Sequence, residues 1–166
     1  MMEIKEVKDV HSAEKVARLA DIVWREHYDG ILAADQIDYM LDKFQSASAV
    51  QEQINNGTSY YLVRDDGMGV GYFAIEPQQG LMFISKLYLI KAARGIGYGR
   101  SCVRFIEEQA AQRKLGIMRL TVNRKNSTSV AVYKKLGFSI VGEGSVDIGG
   151  GFSMDDYYME KAVKLK

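Results

Sequence analysis

Residues 81–100 read LMFISKLYLIKAARGIGYGR, an apolar run followed by glycines at 95, 97 and 99. The run through Ile90 has the length and content of a strand. Beyond the glycines, Cys102, Val103, Ile106 and Ala110 fall on one stripe, which predicts a helix to about Leu115. A strand passing through glycines into a helix leaves several backbone N–H groups unpaired, and the helix dipole adds partial positive charge there. With no Cβ in the way an anion can rest against those amides, so phosphate or pyrophosphate is the favoured ligand. A tight turn with close helix–strand packing is the alternative that the glycines alone leave open.

Two familiar phosphate loops do not fit. A P-loop needs Lys then Ser or Thr after its last glycine, and Arg100 and Ser101 follow Gly99. A dinucleotide fingerprint places its third glycine one residue later, where Arg100 stands, and wants an acid after the next strand, where Asn123 stands.

Around this centre the chain alternates strands and helices. "EIKEV" reads as a first strand, and residues 13–28 as an amphipathic helix carried by Val16, Leu19, Ala20 and Val23. "ADQIDYMLDKF" and "SASAVQEQI" predict two more helices. "SYYLVRD" and "GVGYFAIE" read as strands joined by the hairpin signal Asp66-Gly67, and Gln79-Gly80 turns into the next strand. After the glycine-led helix come the strand "IMRLTV", the helix "STSVAVYKKL" closed by Gly137, the strand "FSIVGEGSV" and the completing strand "DYYMEKAV".

At 166 residues, the chain is expected to be a single domain over residues 1–166 with a real hydrophobic core. Its 47% hydrophobic and 26% charged content is ordinary globular usage, and a net charge of +1 gives no field for nucleic acid or an anionic membrane. No signal core or membrane-length apolar run is present, so a cytoplasmic protein is expected. One cysteine excludes an internal disulfide, and two distant histidines offer no metal-ligand spacing. Cys102 lies on the apolar stripe and reads as a small core residue.

The spacing Arg94-x-x-Gly97-x-Gly99, joined to "NSTSVAVYKKLGF" at residues 126–138, resembles the GNAT superfamily of acetyl-CoA-dependent N-acetyltransferases. The likeness is strong from about Leu81 to Gly142 and weaker over the first helices. It implies an α/β fold whose mixed, mainly antiparallel sheet is flanked by helices and has splayed central strands. It also implies that acetyl-CoA enters the wedge as donor, without a metal. The pantetheine arm would pair with the backbone of Leu87, Tyr88 and Leu89, an addition to the sheet by a ligand. The pyrophosphate would lie on the segment Arg94, Gly95, Ile96, Gly97, Tyr98, Gly99 and Arg100. Asn126 and Ser129 would belong to the cofactor site, and Tyr133 would protonate the departing thiolate.

Each of these residues has a plainer reading beside that one. Asn126 is a good N-cap, a role compatible with cofactor contact. Tyr133 could fill the core, and Arg100 could face solvent. The family's common glutamate, two residues before Leu87, is replaced by Ser85. That leaves Glu76, His27, Asp155 or a water chain as the base.

Within the superfamily the chain is most similar to bacterial spermidine/spermine-type enzymes, through "EHYDGIL", "DQIDYMLDKF" and "DIGGGFSMDDYYMEK". A primary amine acceptor, a polyamine among the candidates, is expected. Glu26, Asp29, Asp35, Asp38 and Asp147 could line its entrance or serve as ordinary solvated acids. Asp155 and Asp156, beside the last hairpin, are the favoured pair. A protein N-terminus, lysine, amino acid or aminoglycoside is the rival acceptor, and a non-catalytic acyl-CoA-binding module the rival class. The resemblance implies a homodimer.

Overall fold

Asp9 starts the first long helix. Its carboxylate accepts the backbone N–H of Ser12 at 2.7 Å, and the Ser12 hydroxyl accepts the N–H of Asp9 at 3.3 Å. This reciprocal capping box carries α1 (Val10–Tyr28) one turn earlier than the apolar period indicates. Strand β1 (Met2–Glu6) precedes it, and α2 (Ala34–Gln45) and α3 (Ala47–Asn55) follow, with the Ser46 hydroxyl capping α3. The computed structural model describes residues 1–165. Lys166, the end of the expected domain range, lies outside the described residues.

Strands β2 (Ser59–Asp65), β3 (Met68–Gln78) and β4 (Leu81–Leu89) form a meander, turned at Asp66 and Gly67, both with positive φ. A 3₁₀ turn at Lys91–Ala93, unforeseen in the sequence, leads to α4 (Tyr98–Gln112). Then come β5 (Ile117–Asn123), α5 (Ser127–Lys135), β6 (Ser139–Gly149) and β7 (Phe152–Ala162). The seven strands make one sheet in the order β1-β2-β3-β4-β5-β7-β6, parallel between β4 and β5 and antiparallel elsewhere.

The sheet is covered on both faces. Tyr60, Leu62, Tyr72 and Ala74 pack with α1, α2 and α3, while their neighbours Tyr61, Val63, Phe73 and Ile75 pack with α4 on the opposite face. A buried polar thread stitches the first layer together. The Trp24 indole donates to the Tyr72 hydroxyl at 2.7 Å, Tyr72 donates to Gln45, and Gln45 donates to Tyr60 at 3.3 Å. Tyr60 passes the chain on to Gln53 at 2.6 Å, so these buried groups find partners.

Two irregularities shape the centre. The β4–β5 register runs only from Met82–Met118 to Ile84–Leu120, after which the strands part, as the expected splay requires. Against β3, Ile84 pairs with Ile75 and Lys86 with Ala74, leaving Ser85 as a bulge. Met82 and Ile84 join the core on the α4 side; past the bulge Leu87 and Leu89 do so, while Tyr88 turns to the α1 side. The last hairpin also differs from expectation. Strand β7 begins at Phe152, and the glycines form the turn, with φ of 88°, 62° and 81° at Gly149, Gly150 and Gly151. Asp155 and Asp156 therefore lie within a strand.

Gly71 of β3 faces Leu89, and a Cβ there would sit 2.3 Å from the Tyr88 carbonyl oxygen and 2.7 Å from a Leu89 methyl. Gly71→Ala should cost about 1–3 kcal/mol and lower Tm by roughly 3–10 °C in a calorimetric scan. An unchanged Tm would mean that β4 is free to move away from β3.

Candidate active site

Where β4 and β5 part, the gap becomes a cleft. Leu87 and Tyr88 line it from β4, Val122 and Asn123 from β5, Ser129 and Tyr133 from α5, and His27 and Tyr28 from α1. Leu89 lies one residue beyond, its carbonyl accepting the Arg94 Nε–H at 3.1 Å.

The glycine segment stands at the start of α4. Gly95 and Gly97 have φ of 79° and 93°, which favour glycine, and Gly97 is the N-cap without a side-chain hydrogen bond. The first helical bond runs from the Ser101 N–H to the Gly97 carbonyl, at 3.1 Å. A Cβ built on Gly95, Gly97 or Gly99 meets no atom within 4 Å. Close helix–strand packing is therefore not what these glycines serve, and among the described residues their N–H groups donate no hydrogen bond to a loop, turn or cap. The Tyr98 hydroxyl is turned away, donating to Asp65 at 2.7 Å, and Ile96 and Arg100 are exposed. The segment fits an anion through its backbone.

Asn126 is indeed an N-cap. Its Oδ1 accepts the Ser129 N–H at 3.1 Å, which turns its amide nitrogen toward His27 Nε2 at 2.9 Å. An amide NH₂ only donates, so His27 Nε2 holds a lone pair and Nδ1 carries the proton. Burial and then the nearby Arg94 charge lower the His27 pKa to about 4. Because the folded value lies below the ordinary one near 6.5, His27 favours folding above that value. That contribution is lost as pH falls from about 6.5 toward 4.

Three phenols meet around this pair. The Tyr28 and Tyr88 hydroxyls are 3.1 Å apart, and the His27 ring meets the Tyr88 ring edgewise at 5.2 Å. Tyr133 packs on Phe138 at 5.8 Å but is only half-buried, and its hydroxyl makes no hydrogen bond among the described residues. Burial raises the pKa values of Tyr28, to about 12, and of Tyr133, so both are neutral phenols at neutral pH.

The base candidates separate in space. His27 is in the cleft, whereas Glu76 lies on β3, where its charge acts on Lys86. Asp155 is exposed, accepts the Ser145 hydroxyl and lies 3.6 Å from Arg124. The expected pair Asp155 and Asp156 is divided between the two faces of the sheet, because consecutive strand residues point to opposite sides. Several other acids have local work. Glu26 accepts the Lys91 N–H, Asp38 pairs with Arg25, and Asp147 accepts the Gly149 N–H. Cys102 is fully buried, its thiol pushed up to about 12 by burial, as a core residue should be. Among the described residues no group of three or more His, Cys, Asp or Glu side chains could hold a metal ion, and no helix is long and apolar enough to cross a membrane.

Tyr28 and Asn123 were not among the site residues read from the sequence. Nothing local marks them, although their strand and helix positions were legible.

A protein-family model described as the acetyltransferase (GNAT) family matches residues 13–138. Over 123 residues the chain is 27% identical to a 5-NmdU N-acetyltransferase of Pseudomonas phage PaMx11, a match covering 71% of this chain and 84% of that protein. The PaiA N-acetyltransferase of Thermoplasma acidophilum, solved in complex with coenzyme A, superposes with a TM-score of 0.81 at 22% identity. That match covers 98% of this chain and 99% of the other. A GCN5-related N-acetyltransferase from Rhodopseudomonas palustris gives a TM-score of 0.82 at 14% identity, covering 96% and 94% of the two chains. At these identities the structural likeness is one of fold.

The His27 geometry has a direct check. In a ¹⁵N-¹H NMR titration the His27 ring should remain the neutral Nδ1–H tautomer down to pH ~5, since its pKa is about 4. A midpoint near the ordinary value of 6.5 would mean that the ring is not buried in the cleft beside Arg94.

Proposed function

This chain belongs to the acetyltransferase (GNAT) family and is an acetyl-CoA-dependent N-acetyltransferase; we propose that it acetylates a small primary amine at the parted β4–β5 seam. One observation carries the placement. The unpaired stretch of β4 and Tyr133 line one cleft, and the glycine segment Gly95, Gly97 and Gly99 follows that strand at the start of α4.

Bound acetyl-CoA supplies an activated acetyl thioester. The backbone amides from Gly95 to Arg100 hold its pyrophosphate, and the β5-facing edge of Leu87, Tyr88 and Leu89 pairs with its amide-bearing arm. Asn126 and Ser129 fix the first turn of α5 and so the direction of Tyr133. Tyr133, neutral and without a competing partner, gives its proton to the sulfur as the C–S bond breaks. The layer formed by α1 and α2 covers the acceptor side.

A polyamine is the first acceptor to test, on the likeness of "EHYDGIL" and the C-terminal segment to spermidine/spermine-type enzymes. The structure weakens one support for it, since Glu26, Asp38 and Asp147 are engaged locally. The phage relative, named for 5-NmdU, supports N-acetylation and leaves the acceptor class wider than polyamines. The decisive assay is thiol release from acetyl-CoA with spermidine, simple monoamines, amino acids, N-terminal peptides and an aminoglycoside. Thiol release with none of them, from protein that binds coenzyme A, would favour a non-catalytic acyl-CoA-binding module.

Two substitutions test the parts separately. Gly99 lies inside α4 with open space before it, so Gly99→Val leaves the fold standing. It should weaken coenzyme A binding roughly 10–100-fold in calorimetry, the worth of one to two charge-assisted hydrogen bonds. Retained affinity would remove the phosphate cradle. Tyr133→Phe deletes a hydroxyl that makes no hydrogen bond among the described residues, so Tm should hold. Its kcat should fall by about 10²–10⁴-fold with KM for acetyl-CoA little changed. Near wild-type kcat would leave Tyr133 as a packing residue.

A further inference from the structure

Strand alternation on β7 sorts the two C-terminal acids. Tyr157 and Met159 pack with the core on the α4 side, whereas Met154 packs with the layer of α1, α2 and α3. Asp155 therefore shares the α4 side, where the Ser145 hydroxyl and Arg124 engage it. Asp156 shares the α1 side with Met154. Its cross-strand partners are Gly144 on β6 and Asn123 on β5, and Asn123 lines the cleft.

Asp156 Oδ1 is shut off from solvent and has no hydrogen-bond partner among the described residues. A buried carboxylate oxygen without a donor is costly, and folding would favour an amide or an apolar side chain there. The missing donor is the informative feature. Asp156 stands just behind the cleft on its α1 side, next to the lining residues Asn123 and Tyr28 and on the face of the sheet opposite the core that Tyr133 joins. Gly144 adds no side chain of its own above it, although the Tyr158 hydroxyl lies across that glycine.

Resting on the acetyltransferase reading, we propose that Asp156 receives the acceptor as a primary ammonium ion and takes the proton that the nitrogen must shed before attack. It fills the role vacated at Ser85, where a bulge residue whose hydroxyl reaches the Ala74 carbonyl at 3.3 Å has no basic group. The step balances. The ammonium gives one proton to Asp156, and the freed lone pair forms the C–N bond to the acetyl carbon. The C–S bond breaks and Tyr133 protonates the sulfur. The second proton lost by nitrogen restores Tyr133, and the one on Asp156 passes to solvent.

The electrostatic surroundings agree. Burial, with the charge of Asp155 adding to it and Arg124 opposing it, raises the Asp156 pKa to about 6. Glu143 of β6 shares Arg124, at 3.6 Å, and Tyr28 of α1 lies within the field of Asp156. Above about pH 6 the group is therefore a carboxylate, more basic than an exposed one, as a proton acceptor at neutral pH should be.

The test compares Asp156→Asn with wild type at pH ~7 on spermidine, which arrives charged, and on trifluoroethylamine, which is largely uncharged. Expected is a loss in kcat/KM of about 10²-fold or more on spermidine and at most about threefold on the neutral amine, with coenzyme A affinity unchanged. Tm should stay level or rise, because the unpaired charge is gone. Asp156→Ala, measured in the same way, serves if the asparagine variant is unfolded. Asp155→Asn, which removes only the smaller of the influences that raise the Asp156 pKa, should cost spermidine turnover at most about threefold and leave the neutral amine unaffected. Equal losses on the two amines, or none on spermidine, overturn the proposal and leave the acetyltransferase intact. A wild type that binds coenzyme A yet acetylates no amine overturns that reading, and the proposal falls with it.

Discussion

Every backbone N–H and C=O in a folded chain needs a partner, and at one place this sheet withholds them. The ladder between β4 and β5 ends at Ile84 and Leu120, so two central strands continue side by side without bonding each other. An edge of this kind, inside the sheet rather than at its margin, suits a ligand with amide groups of its own. The rest of the architecture keeps the gap open. His27 and Tyr28 reach it from the α1 layer, Ser129 and Tyr133 from α5, and the polar thread through Trp24, Tyr72, Gln45 and Tyr60 fixes the first layer in place.

The cleft also has a consistent electrical character. Burial lowers the pKa of His27 and raises those of Tyr133, Tyr28 and Asp156, so each group is pushed toward its uncharged form. The signs differ in their effect on stability. The depressed His27 value favours folding above about pH 6.5 and is lost on acidification. The raised Asp156 value works the other way: its contribution is full below its ordinary value of 3.8 and is lost as pH rises through about 6. At neutral pH the protein thus keeps a buried carboxylate at a cost to its own fold. Amide formation from an amine is helped by surroundings that disfavour charge, since only the neutral nitrogen attacks.

Much of this was legible in the sequence. The hairpin at Asp66-Gly67, the strand ahead of the glycines and the apolar stripe of α4 follow from local chemistry, and each formed where the pattern placed it. The capping box at Asp9 and Ser12 was also written in the chain, though the apolar period starts later and hides it. What stayed hidden involves faces and distances. Asp155 and Asp156 are neighbours in sequence that a strand sends to opposite faces of the sheet, each with surroundings of its own. His27 and Asn126 meet across 99 positions, and no local pattern joins them. The splay was expected from family likeness; the bulge at Ser85 that adjoins it leaves no mark in a strand that packs on both faces.

That bulge makes β4 sensitive in an unusual way. A strand is a two-state code, inward and outward in turn, and Ser85 is the one place where the count slips. Changing a residue's identity there alters a single side chain. Removing the residue would set Ile84 and Lys86 consecutively against Ile75 and Ala74, so the alternation would run on unbroken with every later side chain on its present side. Flattening the bulge with Ser85 kept in the ladder is what would reverse the phase: Leu87 and Leu89 would exchange sides with Lys86 and Tyr88, carrying an ammonium group and a phenol into the apolar core beneath α4. The donor and acceptor sides of the cleft are thus told apart by the parity of a count, and the chain keeps that count at a serine whose own side chain does little more than touch Ala74.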